Sequence, residues 1–330
     1  MRRICSPKNT ALEELFVSGL GYVTKKHLNY LELSNLGTVA NMGHPALEGR
    51  NYVVTGANSG IGFIAARRFA ELGANVALLC RSEQRGREAV ADIIAATGNE
   101  NVSLYLADFA SLASVSAMAD CLLQDMPEID VLCNNAGGAN GVRSVTAEGF
   151  ETTLVSNHLS GFLLTKKLLP AILKAADGRL ARVVFTSSYG HFNSALDFDD
   201  IGLSEGYSTL KAYGRSKLMN LLTAMELQSR LADSNVVTSS FHPGTVRTPI
   251  WKKGGLLARM LGLLLYPTMI SQEKGADTFI WLASSEDSPS KSADGHYFFK
   301  RKRAEVAKFA TAAEAKKLWQ LSEELVAPYC

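Results

Sequence analysis

From Asn51 onward, short apolar runs alternate with stretches of helical period, and this pattern restricts the fold more tightly than any other feature. Residues 52–55, 76–80, 102–106, 131–133, 182–186 and 236–241 have strand length and are rich in aliphatic side chains. Between the first two runs, Ile61, Ile64, Ala65, Arg68 and Phe69 recur at helical spacing. Helical stretches follow at 87–96, 111–126 and 150–176, and Leu218, Leu221, Leu222 and Met225 mark another helical face. Strands separated by helices pair in parallel through right-handed crossovers, with helices on both faces. The expected fold class is α/β, a doubly wound parallel sheet.

The 330 residues would fill two domains at about 150 residues each. No repeat or low-complexity linker divides them, so one domain over 48–330 is expected. Residues 1–47 read as an N-terminal extension, a surface arm or an oligomer contact. An apolar lid is expected at about 249–272 and a C-terminal helix near 312–326. The balance of 34 Lys plus Arg against 32 Asp plus Glu argues against a nucleic-acid binder, which needs a concentrated basic face. Lys8, Glu13 and Glu14 break any apolar leader. The apolar stretch at 260–272 is too short to span a bilayer and contains Pro267. The expected location is cytoplasmic, or peripheral on the cytosolic side of a membrane.

The first strand–helix turn reads Thr55-Gly56-Ala57-Asn58-Ser59-Gly60-Ile61-Gly62. Its glycines let the backbone approach a pyrophosphate lying on the helix N-terminus. The second strand is followed by Arg81-Ser82, where an acidic residue would instead bind a ribose 2′-hydroxyl. A guanidinium there pairs with a 2′-phosphate, so NADP(H) is preferred and NAD(H) is left open. Tyr213 and Lys217 lie at i and i+4 on one helix face. A phenol at its ordinary pKa of about 10 is a poor proton carrier at neutral pH. A cation about 4 Å away supplies roughly 4 kcal/mol at an effective dielectric of 20, enough to bring it into range. The carboxylates of Asp197, Asp199 and Asp200 read as a solvated loop rather than a metal site, and no metal is expected.

These motifs, in this order, resemble the short-chain dehydrogenase/reductase (SDR) family, and within it the retinol-dehydrogenase-like branch. The resemblance covers about residues 48–325. It rests on TGANSGIG at 55–62, CRS at 80–82, Asp108-Phe109, NNAG at 134–137, TAEGFE at 146–151 and SNHLSGFLLT at 156–165. FTSSYGH at 185–191, YGRSK at 213–217 and HPGTVRT at 242–248 complete it. Ser160 stands where the family usually has glycine, and the interval from Ser188 to Tyr213 is longer than usual.

The resemblance implies a Rossmann fold and a set of roles. Tyr213 would be the acid/base, with Lys217 holding the nicotinamide ribose and lowering the Tyr213 pKa. Ser188 would bind the substrate oxygen, and Asn157 would hold a water that relays protons toward Lys217. Gly56, Asn58, Ser59, Gly60, Ile61, Gly62, Arg81, Ser82, Asp108, Phe109, Asn135, Ala136 and Gly137 would line the cofactor. Pro243, Gly244, Val246 and Thr248 would border the nicotinamide. His191 and His242 read as structural groups. The implied activity interconverts an alcohol and a carbonyl on a small lipophilic substrate. A C=C reductase of the same fold and a non-catalytic NADP(H)-binding scaffold remain the alternatives. A homo-oligomer and peripheral membrane contact through the lid stay open.

Overall fold

The computed structural model describes residues 46–246, 269–287, 291–292 and 294–330. The arm expected at 1–47 and the lid expected at 249–272 therefore lie almost wholly outside the described residues. The described ends of both stretches belong to the packed fold. Leu47 is buried and donates its N–H to the Leu72 carbonyl. Ile270 bridges Val246, and Ser271 caps the following helix.

The strands are β1 (Asn51–Thr55), β2 (Asn75–Cys80), β3 (Val102–Leu106), β4 (Val131–Asn134), β5 (Ala181–Thr186), β6 (Val236–Phe241), β7 (Tyr297–Phe299) and β8 (Lys302–Arg303). They form one sheet in the order β3-β2-β1-β4-β5-β6-β7-β8, parallel throughout except for the β7–β8 hairpin. The helices are α1 (Gly60–Glu71), α2 (Glu83–Thr97), α3 (Leu112–Asp125), α4 (Ser160–Ala176), α5 (Thr209–Arg230), α6 (Gln272–Ser284) and α7 (Ala312–Val326). The doubly wound fold expected from the alternation is present. The hairpin and α6 are additions that the sequence pattern did not disclose.

Successive strand residues point to opposite faces, so each central strand feeds two cores. Val53, Ala77, Leu79 and Leu132 pack with α3, α4, α5 and α7. Tyr52, Val54, Leu78 and Cys133 pack with α1, α2 and α6. This two-sided burial explains why the strands read as continuous apolar runs.

At the N-terminal end of the sheet, Asp130 is 1% exposed. It accepts from Arg50 Nη1 at 2.7 Å, Asn51 N at 2.8 Å and Arg179 Nη2 at 3.3 Å. Removing a buried carboxylate strands these donors at a cost of about 3 kcal/mol. Asp130→Ala should lower the urea midpoint accordingly while leaving low-temperature activity intact. A midpoint equal to the wild type would show that this cluster does not hold the strand ends.

Candidate active site

The order of the strands reverses between β1 and β4, and their C-terminal ends open a crevice there. The turn after β1 enters it with Gly56 at φ +66° and Gly60 at φ +62°. A Cβ on Gly62 would meet Asn135 Nδ2 at 2.5 Å and the Gly56 carbonyl at 2.7 Å. Ser59 precedes α1 but gives no side-chain cap. By contrast α2, α3, α5, α6 and α7 are capped by the side chains of Ser82, Ser111, Ser208, Ser271 and Thr311. The first N–H groups of α1 are therefore left for an outside acceptor, and the glycine path brings one within reach. These residues fit a dinucleotide pyrophosphate. Asn58 and the largely buried Ile61 complete the turn.

Thr55 braces this corner. Its Oγ1 accepts from Asn135 N and Ala136 N, both at 2.8 Å, and donates to the Cys133 carbonyl. Asn135 Nδ2 donates back to the Thr55 carbonyl at 3.0 Å. On the adenosine side, the exposed Arg81 lies 3.8 Å from Asp108 Oδ1. Asp108 Oδ1 accepts from Ala110 N. The Phe109 carbonyl accepts from Ser160 Oγ at 2.8 Å. The serine that replaces the usual glycine is thus fully buried and bonded to the loop beside Asp108.

The catalytic candidates stand at the ends of β4 and β5 and on α5. Residues 150–176 do not form one regular helix. Glu151 caps a single α-turn by accepting from Thr153 N and Leu154 N, and Val155–Leu159 form a π-helical turn before α4. The π turn carries Asn157 and His158, both buried. Asn157 Nδ2 donates to the Gly138 carbonyl at 2.8 Å and to Ser216 Oγ at 3.0 Å, while its Oδ1 accepts from Gly138 N. These bonds clamp the Asn157 side chain to Gly138 and Ser216. A Cβ on Gly137 would stand 3.1 Å from Asn157 Oδ1 and 3.3 Å from Lys217 Nζ, so the three meet at one point.

Ser188 Oγ accepts from Gly190 N and shares a side-chain hydrogen bond with Tyr213. The extra residues between them form a 3-10 turn (Tyr189–Asn193) and the acidic loop. A Cβ on Gly214 would meet the Gly190 carbonyl at 2.7 Å, so only glycine lets α5 lie this close to Ser188. Arg215 holds the loop through the Ala195 and Asp200 carbonyls. Asp197 and Asp200 accept from backbone N–H groups of their own loop.

Lys217 is buried and donates from Nζ to the Thr186 carbonyl at 3.0 Å. Burial pulls its pKa from 10.5 down to about 8. Burial also pushes the Tyr213 phenol above its ordinary value, and the Ser188 bond only partly offsets this. Lys217 was expected to lower the Tyr213 pKa. In the structure its Nζ is bonded to the Thr186 carbonyl and lies 5.5 Å from the Tyr213 ring centroid.

Pro243 and Gly244, at φ +88°, follow β6, and Gly244 N donates to His242 Nδ1. Burial drops the His242 pKa to about 4, and the ring stacks on Phe299 at 5.1 Å. Val246 is buried against Gly275, a packing position. Thr248 lies outside the described residues.

The model of the short chain dehydrogenase family matches residues 50–255. The chain belongs to this family. As a short-chain dehydrogenase of the retinol-dehydrogenase-like branch, it is an oxidoreductase acting on CH–OH groups, in a family that uses NAD(P)(H). It is 39% identical to a candidate daunorubicin C-13 ketoreductase of a Streptomyces species, over 86% of this chain and 94% of that one. Human retinol dehydrogenase 12 is 37% identical over 85% of this chain and 87% of its own. A solved structure of an uncharacterised Mycobacterium paratuberculosis protein superposes with a TM-score of 0.68 at 30% identity. It covers 86% of this chain and 96% of its own.

Several working groups of this dehydrogenase escaped the sequence reading. The Thr186 carbonyl receives both Lys217 Nζ and Asn220 Nδ2, and a main-chain acceptor leaves no signature in side-chain identity. Thr55 was visible only as the residue before the glycines. Ser216 sits inside the Tyr-to-Lys motif, where its bond to Asn157 could not be foreseen.

Proposed function

We propose that this dehydrogenase interconverts a lipophilic alcohol and its ketone or aldehyde, using NADP(H), with Tyr213 as the acid/base. The observation that carries the reading is the convergence of Ser188, Tyr213, Lys217 and Asn157 at the mouth of the crevice. A bound nicotinamide supplies or accepts the hydride. Negative charge then develops on the substrate oxygen during reduction. Ser188 Oγ and the Tyr213 hydroxyl are close enough to donate to that one atom, and such donors bind most tightly as the charge forms. Tyr213 gives its proton to the oxygen in reduction and removes it in oxidation. Lys217 places a cation beside the nicotinamide ribose. Asn157 holds the loop that carries Gly137 and Gly138 against that cation.

NADP(H) preference rests on Arg81, whose exposed guanidinium stands at the end of β2 beside Asp108. Arg81→Asp should shift the NADPH-to-NADH ratio of kcat/KM at least about tenfold toward NADH, since a charge-assisted pair becomes a repulsion. An unchanged ratio would remove Arg81 from cofactor choice.

The lipophilic substrate is supported by the rim of the crevice. Val142, Tyr189 and Leu210 are exposed there. The segments carrying Val142 and Leu210 are joined by Tyr207 Oη to the Asn140 carbonyl and Thr209 Oγ1 to the Gly141 carbonyl. Two of the relatives are named for retinol and for daunorubicin. Among the described residues no helix is long and apolar enough to cross a membrane. A location in the cytoplasm or on the cytosolic face of a membrane is part of this proposal. The test is NADPH oxidation over a panel of lipophilic ketones and aldehydes, with product analysis. A new hydroxyl is expected. A saturated C=C bond, or binding without turnover across the panel, would overturn the reading.

A further inference from the structure

We infer that His191 is a positioning residue that fixes the catalytic serine through its main chain. The imidazole is fully buried, with ring contacts to Phe192 at 4.2 Å and Tyr297 at 4.9 Å. Ala307 N lies 3.3 Å from Nε2, and a backbone N–H can only donate. Nε2 is therefore an acceptor, and the ring proton sits on Nδ1. Nδ1 lies 2.6 Å from the Ser188 carbonyl, which also accepts from His191 N at 3.2 Å. Two donors thus orient the peptide of Ser188. That residue is extended, at φ −160° and ψ 158°, so the orientation of its peptide sets the direction of Oγ toward Tyr213. The far side of the ring is held by Ala307, in the segment between β8 and α7. One imidazole therefore ties the C-terminal part of the chain to the serine. This role rests on the reading that Ser188 acts at the substrate oxygen.

Two substitutions separate the two edges of the ring. In His191→Asn, the side-chain amide can place a donor where Nδ1 stands, and the bond to Ser188 is kept. In His191→Gln, the longer side chain can place an acceptor where Nε2 stands, and only the bond from Ala307 is kept. His191→Asn should retain kcat within about threefold. His191→Gln should lose kcat by about thirtyfold, with KM for carbonyl and for NADPH within about twofold. Both should lose similar thermal stability, which separates positioning from packing. In a Ser188→Ala background, His191→Gln should cost nothing more, because the serine it directs is gone. Equal losses in the two His191 variants, or losses that multiply with Ser188→Ala, would overturn the role. Full activity of Ser188→Ala alone would instead remove the reading of Ser188, and the positioning role with it. A measurement on the unaltered enzyme needs no variant to fold: ¹⁵N NMR should find the proton on Nδ1 and none on Nε2. A proton on Nε2 overturns the inference.

Discussion

Replacing Tyr213 by Phe should cut turnover about a thousandfold or more while NADPH affinity changes less than threefold. The substitution removes one oxygen and leaves the ring packing in place. General acid–base groups contribute roughly a hundred- to ten-thousandfold, and Tyr213 is also one of two donors to the developing oxyanion. Ser188 alone would remain at that oxygen. The cofactor turn at Gly56–Gly62 is built on β1 and α1, elements that do not contain Tyr213. Steady-state kinetics with fluorescence titration of NADPH separates the two effects. Turnover within tenfold of the wild type would mean that another group moves the proton.

Replacing Lys217 by Met should nearly abolish turnover and make the cofactor-free protein more stable. Lys217 is 3% exposed, and burial drags its pKa from 10.5 to about 8. Holding that charge in place at neutral pH costs on the order of 3 kcal/mol. The substitution forfeits the bond to the Thr186 carbonyl, about 1 kcal/mol, so a net gain of about 2 kcal/mol is expected at pH 7. The pH dependence has a definite sign. Between pH 8 and 10.5 the unfolded chain holds this proton and the folded chain does not. Wild-type stability should therefore rise with pH across that window, the penalty being complete below it. The advantage of Lys217→Met should shrink over the same interval. Urea denaturation at pH 7 and near pH 9.5 measures both. A variant less stable than the wild type at pH 7 would show that the ammonium is well accommodated there. The site, on this argument, keeps its cation against the preference of the fold, a trade of stability for function.

The sheet was legible because its central strands are buried on both faces and cannot disguise their apolar runs. The pairing of Tyr213 with Lys217 was equally legible, since helical period alone puts i and i+4 together. What escaped depends on contacts that cross long intervals. β7 and β8 are three and two residues long and carry no period of their own. The π turn at Val155–Leu159 differs from a regular helix by one hydrogen-bond step, which residue identity does not encode. The bonds of Asn157 were not legible either. Its amide turned to Gly138 and Ser216 because both came within reach only when β4 and α5 met. The bond from Lys217 to the Thr186 carbonyl was not legible, because a main-chain acceptor leaves no trace in side-chain identity.

The C-terminal chain reaches back to the centre at several points. His158 Nε2 meets Ser322 Oγ at 2.8 Å, Trp319 packs edge-on against Phe162, and Ala307 supplies the partner of His191. A nascent polypeptide can lay down β1 to β5 and even the Tyr213 helix long before these residues are translated. Until they arrive, two buried imidazoles beside the reacting groups have lost their outer partners. Synthesis thus runs ahead of packing: until the Ala307 segment and α7 have been made and have docked, neither ring has these partners.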